Sequence, residues 1–233
     1  MLKKEFEMKF LGPAKRILGM EITRTMEDRH LSLSQSEYVK KVIRIFEMHL
    51  SKLVSTPLGA HFRLKSVSGE LSPEETQYMS FVPYSNVVGC LMYAMIGTRP
   101  DIAYGVSMIS RFMSKPCKEH WSAVKWLLRY FNGSINCCLN FSAFDSNDFN
   151  IVGYCDSDYA TDLDKRRSLT GFVFTVGGNV VSCKCNLQHI VALSTTEDEY
   201  VVLTKAVKEA IWLKAEVGLL YIKKHIQNVN FLV

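Results

Sequence analysis

Two runs rich in Val and Phe flank Gly177-Gly178-Asn179 within the stretch from Gly171 to Cys183. Glycine supplies the positive φ angles that a tight reversal demands, so this stretch predicts an antiparallel hairpin. The hairpin constrains its neighbours. Ile151-Val-Gly-Tyr-Cys-Asp156-Ser-Asp158 reads as an apolar strand ending on two carboxylates. Ser194-Thr-Thr-Glu197-Asp-Glu199-Tyr200 reads as the start of a helix with three more acids. If that helix returns across the three-stranded sheet, Asp156 and Glu199 meet. Two carboxylates brought together can bind a divalent metal for phosphoryl chemistry.

The chain has 233 residues, 48% of them hydrophobic, enough for one large or two small domains. No apolar run is long enough to span a bilayer, and Met1-Leu-Lys-Lys-Glu-Phe-Glu has no apolar signal core. An intracellular protein of cytoplasm or nucleus, without membrane contact, is therefore expected. Seven irregularly spaced cysteines, two of them adjacent at Cys137-Cys138, point to reduced thiols. Cys183-Lys-Cys185 lacks a second Cys or His pair at finger spacing and reads as two strand cysteines. Charge is uneven: residues 1–150 hold 19 Lys+Arg and 14 Asp+Glu, whereas residues 151–233 hold 9 of each. A mildly basic first part permits contact with a polyanion.

Phe6-Glu-Met-Lys-Phe10 and Ile17-Leu-Gly-Met-Glu-Ile22 read as strands around a Gly12-Pro13 turn. Leu31-Ser-Leu33 completes a hairpin after a turn at Glu27-Asp28. Ser34-Gln-Ser-Glu37 has the spacing of a capping box ahead of a helix. In that helix Tyr38, Val42, Ile45 and Phe46 mark one face, and Lys40, Lys41 and Arg44 a solvated one. Residues 51–83, punctuated by Pro57, Gly59, Gly69, Pro73 and Pro83, read as a linker at a domain boundary. Three helices follow. Tyr84 to Ile96 is apolar nearly all round and should be buried. Asp101 to Met113 begins beside Pro100 and carries Ile102, Val106 and Ile109 at helical spacing. Lys118 to Phe131 carries Trp121, Val124, Leu127 and Leu128 and stops at Asn132-Gly133. Trp121 and Trp126 read as core aromatics rather than stacking platforms. Cys137 to Phe141 is a strand, followed by a polar loop to Asn150. The last helix is expected from about Thr196 to Glu216, its first-turn acids suiting the helix dipole, and Asn228 to Val233 is a final strand.

A series of short motifs then becomes recognisable in order. They are Leu11-Gly-Pro-Ala-Lys-Arg-Ile-Leu-Gly-Met-Glu-Ile22, Leu33-Ser-Gln-Ser-Glu-Tyr38, Leu91-Met-Tyr-Ala94, Thr98-Arg-Pro-Asp-Ile-Ala103, His120-Trp121 and Leu128-Arg-Tyr130. Tyr154-Cys-Asp-Ser-Asp158, Arg167-Ser-Leu-Thr-Gly171, Val191-Ala-Leu-Ser-Thr-Thr-Glu197 and Lys208-Glu-Ala-Ile-Trp-Leu213 continue it. In this order and spacing they resemble the C-terminal region of the Pol polyprotein of copia-type LTR retrotransposons, over essentially the whole chain.

The resemblance implies an α/β protein, α+β overall, in three parts. Residues 1–80 would be a primer-grip and thumb remnant of reverse transcriptase, and 81–148 a helical connection. Residues 149–233 would be a truncated ribonuclease H-like domain: three antiparallel strands, one long helix, then a fourth strand parallel to the first. Such domains cut the RNA strand of an RNA–DNA hybrid by two-metal hydrolysis. Asp156 matches the family's first-strand aspartate and Glu199 its first-helix glutamate; these two would hold Mg2+ or Mn2+, with Asp158 a supporting acid. Glu197 would be a cap-region acid. Lys165, Arg166 and Arg167, in the loop before the second strand, and Lys184 are the candidate contacts to nucleic acid.

Departures from the family pattern temper this. No Tyr-x-Asp-Asp occurs, so no polymerase activity is expected. The third aspartate of the nuclease site would fall where the chain stops, at Phe231-Leu-Val233, and Tyr159 and Cys183 stand where the family has tryptophan. Weak metal binding and little or no nuclease activity are therefore expected. Other Pol fragments acting in trans are possible partners. The alternatives are a non-catalytic nucleic-acid-binding module, or the relic of a decayed element.

Overall fold

The computed structural model describes residues 12–143, 150–220 and 229–232. The strand expected at Phe6–Phe10 and the polar loop at 144–149 lie outside them.

Two four-stranded sheets flank a helical core. In the first, β1 (Arg16–Ile17), β2 (Met20–Thr25), β3 (His30–Ser34) and β4 (Cys138–Ser142) lie in that order, all antiparallel. The run read as one strand from Ile17 to Ile22 is broken, because Leu18 and Gly19 take φ of 47° and 77° and form a tight turn. The Tyr93 hydroxyl donates to the Leu18 carbonyl at 2.7 Å and holds that turn.

The helices are α1 (Ser36–Ile45), α2 (Pro73–Ser80), α3 (Tyr84–Gly97), a 3-10 turn (Pro100–Ile102), α4 (Ala103–Ser110) and α5 (Lys118–Gly133). One apolar cluster draws on Val39, Val42 and Ile43 of α1, Leu91 of α3, Ile109 of α4, and Leu127 and Phe131 of α5. Three readings need correction. The capping box at Ser34 does not form: Ser34 ends β3, and Gln35 precedes the helix without capping it through its side chain. Instead the buried Gln35 amide oxygen accepts from the Thr98 backbone N–H and hydroxyl at 3.1 and 3.0 Å. Ile45 is 57% exposed, since the buried stripe of α1 runs through Val39, Val42 and Ile43. The apolar helix α3 is not buried all round; Ile96 is 78% exposed.

Residues 51–83 hold a helix, α2, capped by Ser72, whose hydroxyl accepts from the Glu75 N–H. Leu64 in the same stretch is buried in the helical cluster. No single helix among the described residues is long and apolar enough to cross a membrane.

In the second sheet β5 (Ile151–Asp158), β6 (Leu169–Val176) and β7 (Asn179–Leu187) form the expected antiparallel meander, with Gly177 and Gly178 at φ of 54° and 79° in the turn. The strand order is β7-β6-β5-β8, and β8 (Val229–Leu232) runs parallel to β5. The mixed α/β class is thus as read, with α6 (Thr195–Leu220) longer than expected. Val202, Ala206, Ala210 and Leu213 of α6 bury against Ile151, Cys155 and Phe172. All seven cysteines are free, and Cys183 and Cys185 are strand residues.

The sheets adjoin through their β4 and β7 edges. The Asn179 side-chain amide accepts from the Ser142 N–H at 2.8 Å and donates to the Ser142 carbonyl at 3.0 Å, imitating one rung of β pairing.

Candidate carboxylate site at the end of the first strand of the mixed sheet

Side chains alternate along β5, so its acids sort by parity. Cys155 and Ser157 face α6, whereas Tyr154, Asp156 and Asp158 face the other side, toward α4. Cross-strand rows fix the latter face: Tyr154–Val173–Cys183, Asp156–Gly171–Cys185 and Asp158–Leu169–Leu187. Among the described residues, β8 pairs with Ile151 to Tyr154. Beyond Tyr154 the first turn of α6 reaches the outer edge of β5.

Asp156 and Glu199 converge at this edge. The Ser157 backbone N–H donates to Asp156 Oδ1 at 2.9 Å. The same N–H interacts with the Glu199 carboxyl and lowers its pKa. Burial raises the Glu199 pKa more, and the nearby charges of Asp156 and Asp198 add to it, so the net shift is upward. Asp158 is also raised, by burial first and then by Asp156 and Asp198. Glu199 Oε2 is buried and has no hydrogen-bond partner. A cation is the natural complement of such crowded acids. Among the described residues, however, no group of three or more His, Cys, Asp or Glu is gathered as a metal site.

Glu197 serves the helix end, as read. The Ser194 hydroxyl accepts from the Glu197 N–H at 3.1 Å, and Glu197 Oε2 accepts from the Leu193 N–H at 2.7 Å.

Asp198 is the residue the first-turn reading missed. It is 1% exposed, and its Oδ2 accepts from the Ser157 hydroxyl at 3.1 Å. The buried Gln188 amide donates to Ser157 Oγ and to the Asp198 carbonyl, each at 3.1 Å. This network holds Ser157, and so the amide between the two site carboxylates. The signal was available: Asp198, Val202, Ala206, Ala210 and Leu213 share one helical stripe.

The candidate basic contacts separate. Lys165 and Arg166 are exposed. Arg167 is half-buried and turns inward, its Nε 3.8 Å from Asp162. Asp162 also pairs with Arg111, just past the end of α4, at 3.4 Å and accepts from the Asp164 and Lys165 N–H groups. Lys184 is exposed on β7, opposite Phe172 and near Lys205, whose pKa is lowered by burial and then by the Lys184 charge. Trp126 donates its indole N–H to the Thr56 carbonyl at 3.0 Å and packs edge-on against Phe62.

The fold and these side chains define a mixed α/β protein with acids gathered where one central strand ends. Comparison with known proteins places it further. The retrovirus-related Pol polyprotein from transposon TNT 1-94 of Nicotiana tabacum is 50% identical over 213 residues, 91% of this chain but 16% of that polyprotein. The secreted RxLR effector protein 161 of Plasmopara viticola is 44% identical over 135 residues, 58% of this chain and 94% of that protein. The uncharacterized mitochondrial protein AtMg00810 of Arabidopsis thaliana is 34% identical over 214 residues, 92% of this chain and 84% of that protein. The homologues of this chain include retrovirus-related Pol polyproteins from copia-type transposons, and the chain spans 14–16% of the length of those polyproteins. No protein-family model and no solved structure matches it.

Proposed function

We propose that residues 149–233 derive from a ribonuclease H domain and residues 1–148 from the thumb and connection of a reverse transcriptase, the whole binding RNA–DNA hybrid. Asp156 and Glu199 are the acids that hold a divalent metal, Mg2+ or Mn2+, and Asp158 supports them. The observation that carries this reading is their convergence on the Ser157 amide at the edge of β5 beyond Tyr154. The buried, unpartnered Glu199 Oε2 suits a metal as ligand. When bound, the metal supplies Lewis acidity and an activated water. The protein's own part is to fix the two carboxylates through Ser157, Asp198 and Gln188 and to present them beside the hybrid backbone. Two firm ligands hold such an ion weakly, so cleavage is slow or absent.

The test is a Mn2+ titration of the purified chain, followed by water-proton relaxation, beside a hybrid-cleavage assay. Mn2+ affinity should fall at least about ten-fold in Asp156→Asn and in Glu199→Gln, the loss of one charged ligand being worth about 1.4 kcal/mol or more. Unchanged affinity in both variants would sink the assignment. Robust Mg2+-dependent cleavage abolished by Asp156→Asn would overturn the expectation of a weak enzyme. A purely nucleic-acid-binding role is favoured by the exposed Lys165 and Arg166. It would show as salt-sensitive hybrid binding without cleavage.

A further inference from the structure

A groove of about 460 Å³ lies between the 3-10 turn and α4 on one side and the face of the mixed sheet turned away from α6. That volume falls within the roughly 300–1,000 Å³ of small-ligand sites. Its sides carry two aromatic rings, Tyr104 and Tyr154, which are 38% and 49% exposed. Val173 and Cys185 line its floor, and Asp156 stands at its end.

Gly171 is the residue that singles the groove out. It sits in the middle of β6, flanked by strands on both sides, where glycine costs backbone entropy and adds no packing. No close contact demands it: a Cβ there would meet only the Asp156 carbonyl, at 3.8 Å. Its row on the sheet, Asp156–Gly171–Cys185, is the groove floor, so a Cβ would point into the groove. A glycine in a central strand that the fold does not require marks a place where something else approaches the backbone.

We infer that this groove receives one unpaired nucleobase of a single strand, its ring lying over Gly171 between Tyr104 and Tyr154, with Asp156 accepting from its amine edge. The ligand class rests on the nucleic-acid reading above. The flat, sequence-tolerant stacking of a base suits two exposed tyrosines. The acidic end suits a hydrogen-bond donor, and the ribose-phosphate chain stays outside the groove.

The probe is a ten-nucleotide single-stranded RNA with a central 2-aminopurine, titrated into the full chain at two salt concentrations. Its fluorescence should be quenched on binding. An otherwise identical strand lacking that base should bind at least about five-fold more weakly, as should Tyr154→Ala, stacking being worth that much per base. Gly171→Val, which suits a strand and fills the groove, should lose binding by a similar factor while its melting temperature holds or rises. Equal affinity of the base-free strand overturns the inference, as does unchanged binding in both variants. Mn2+ affinity judges the proposed function separately. Base binding with Mn2+ affinity unchanged in both Asp156→Asn and Glu199→Gln sinks that reading and leaves this one. Mn2+ affinity lost in those variants with undiminished base binding in Gly171→Val does the reverse.

Discussion

Arg99 is fully buried, and removing its charge should destabilise the helical part. Its Nε and Nη2 donate to Asp101 at 2.9 and 2.7 Å, and Nη1 donates to the Ser134 carbonyl at 3.0 Å. Its guanidinium lies 5.0 Å from the Phe131 ring centroid. It therefore joins the 3-10 turn before α4 to the residue that follows α5. Arg99→Met keeps the length and removes every donor. Breaking a buried pair from one side costs about 3–5 kcal/mol. The Asp101 side chain is 35% exposed, so water recovers part of the loss, and the lower end, about 3 kcal/mol, is expected. Asp101→Asn keeps one acceptor but leaves the buried guanidinium without its counter-charge, and should also cost about 3 kcal/mol. The double variant should be less destabilised than the sum by about 1 kcal/mol or more. Urea unfolding followed by tryptophan fluorescence reads all three. A loss under about 1 kcal/mol for Arg99→Met, or strict additivity, would refute the reasoning. Acid adds a check. Burial pulls the Asp101 pKa up, but the Arg99 hydrogen bonds and charge and the Tyr130 hydroxyl outweigh it, so the net shift is down. Its stabilisation is present above the unfolded carboxylate pKa of about 3.9 and is lost as pH falls through the lower folded value.

His120 should make stability fall from pH 7.5 to pH 5. Its Nδ1 accepts from the Cys117 N–H at 3.0 Å and its Nε2 pairs with the Lys65 carbonyl at 2.9 Å, so the ring is held neutral. Burial lowers its pKa, hence its stabilisation is present above the unfolded value of about 6.5 and fades as pH falls below it. Urea midpoints at the two pH values should differ less in His120→Gln. Gly153→Ala should cost about 1–3 kcal/mol in thermal unfolding, because its Cβ would strike the buried Phe174 ring. Ser157→Ala should cost about 1–3 kcal/mol by the same assay, since it strips a donor from Asp198 and an acceptor from Gln188. Glu199→Gln should raise the melting temperature slightly at pH 7, because a carboxyl whose pKa is raised in the fold destabilises once ionised. The gain should vanish as pH falls below the unfolded carboxyl value.

The mixed sheet was legible because its determinants are local. Gly177-Gly178 specifies the reversal, and the apolar run from Ile151 to Cys155 specifies a strand. Asp156 and Glu199 followed from that topology. What stayed hidden depends on partners distant in sequence. Nothing near Gln35 says that its amide will close over Thr98, 63 residues away. Nor does Ser34-Gln-Ser-Glu37 reveal that pairing with Glu21 will extend β3 through Ser34 and so displace the cap. Arg167 looked like a free basic residue because the Asp162 that neutralises it also serves Arg111, just past the end of α4. Asp198 was discounted by its place in the first turn, although its stripe pointed inward.

The stretch from 51 to 83 shows why composition alone misleads. Proline and glycine punctuate it and no apolar period runs through it, so it reads as a linker. Its contributions are single residues fixed from outside. Leu64 fills the helical core. The Lys65 carbonyl holds the His120 ring. The Ser66 N–H and hydroxyl donate to Asp164 at 2.8 and 2.6 Å, in the loop that follows β5. That loop is also held by Arg111 through Asp162. The acid-bearing end of β5 is thus braced by α6 from one side and by the helical core from the other. A backbone held from both sides can keep Asp156, Asp158 and Glu199 close, where burial first and then neighbouring acids raise the pKa values of Asp158 and Glu199. The stability given up there is offset by contacts that periodicity does not reveal.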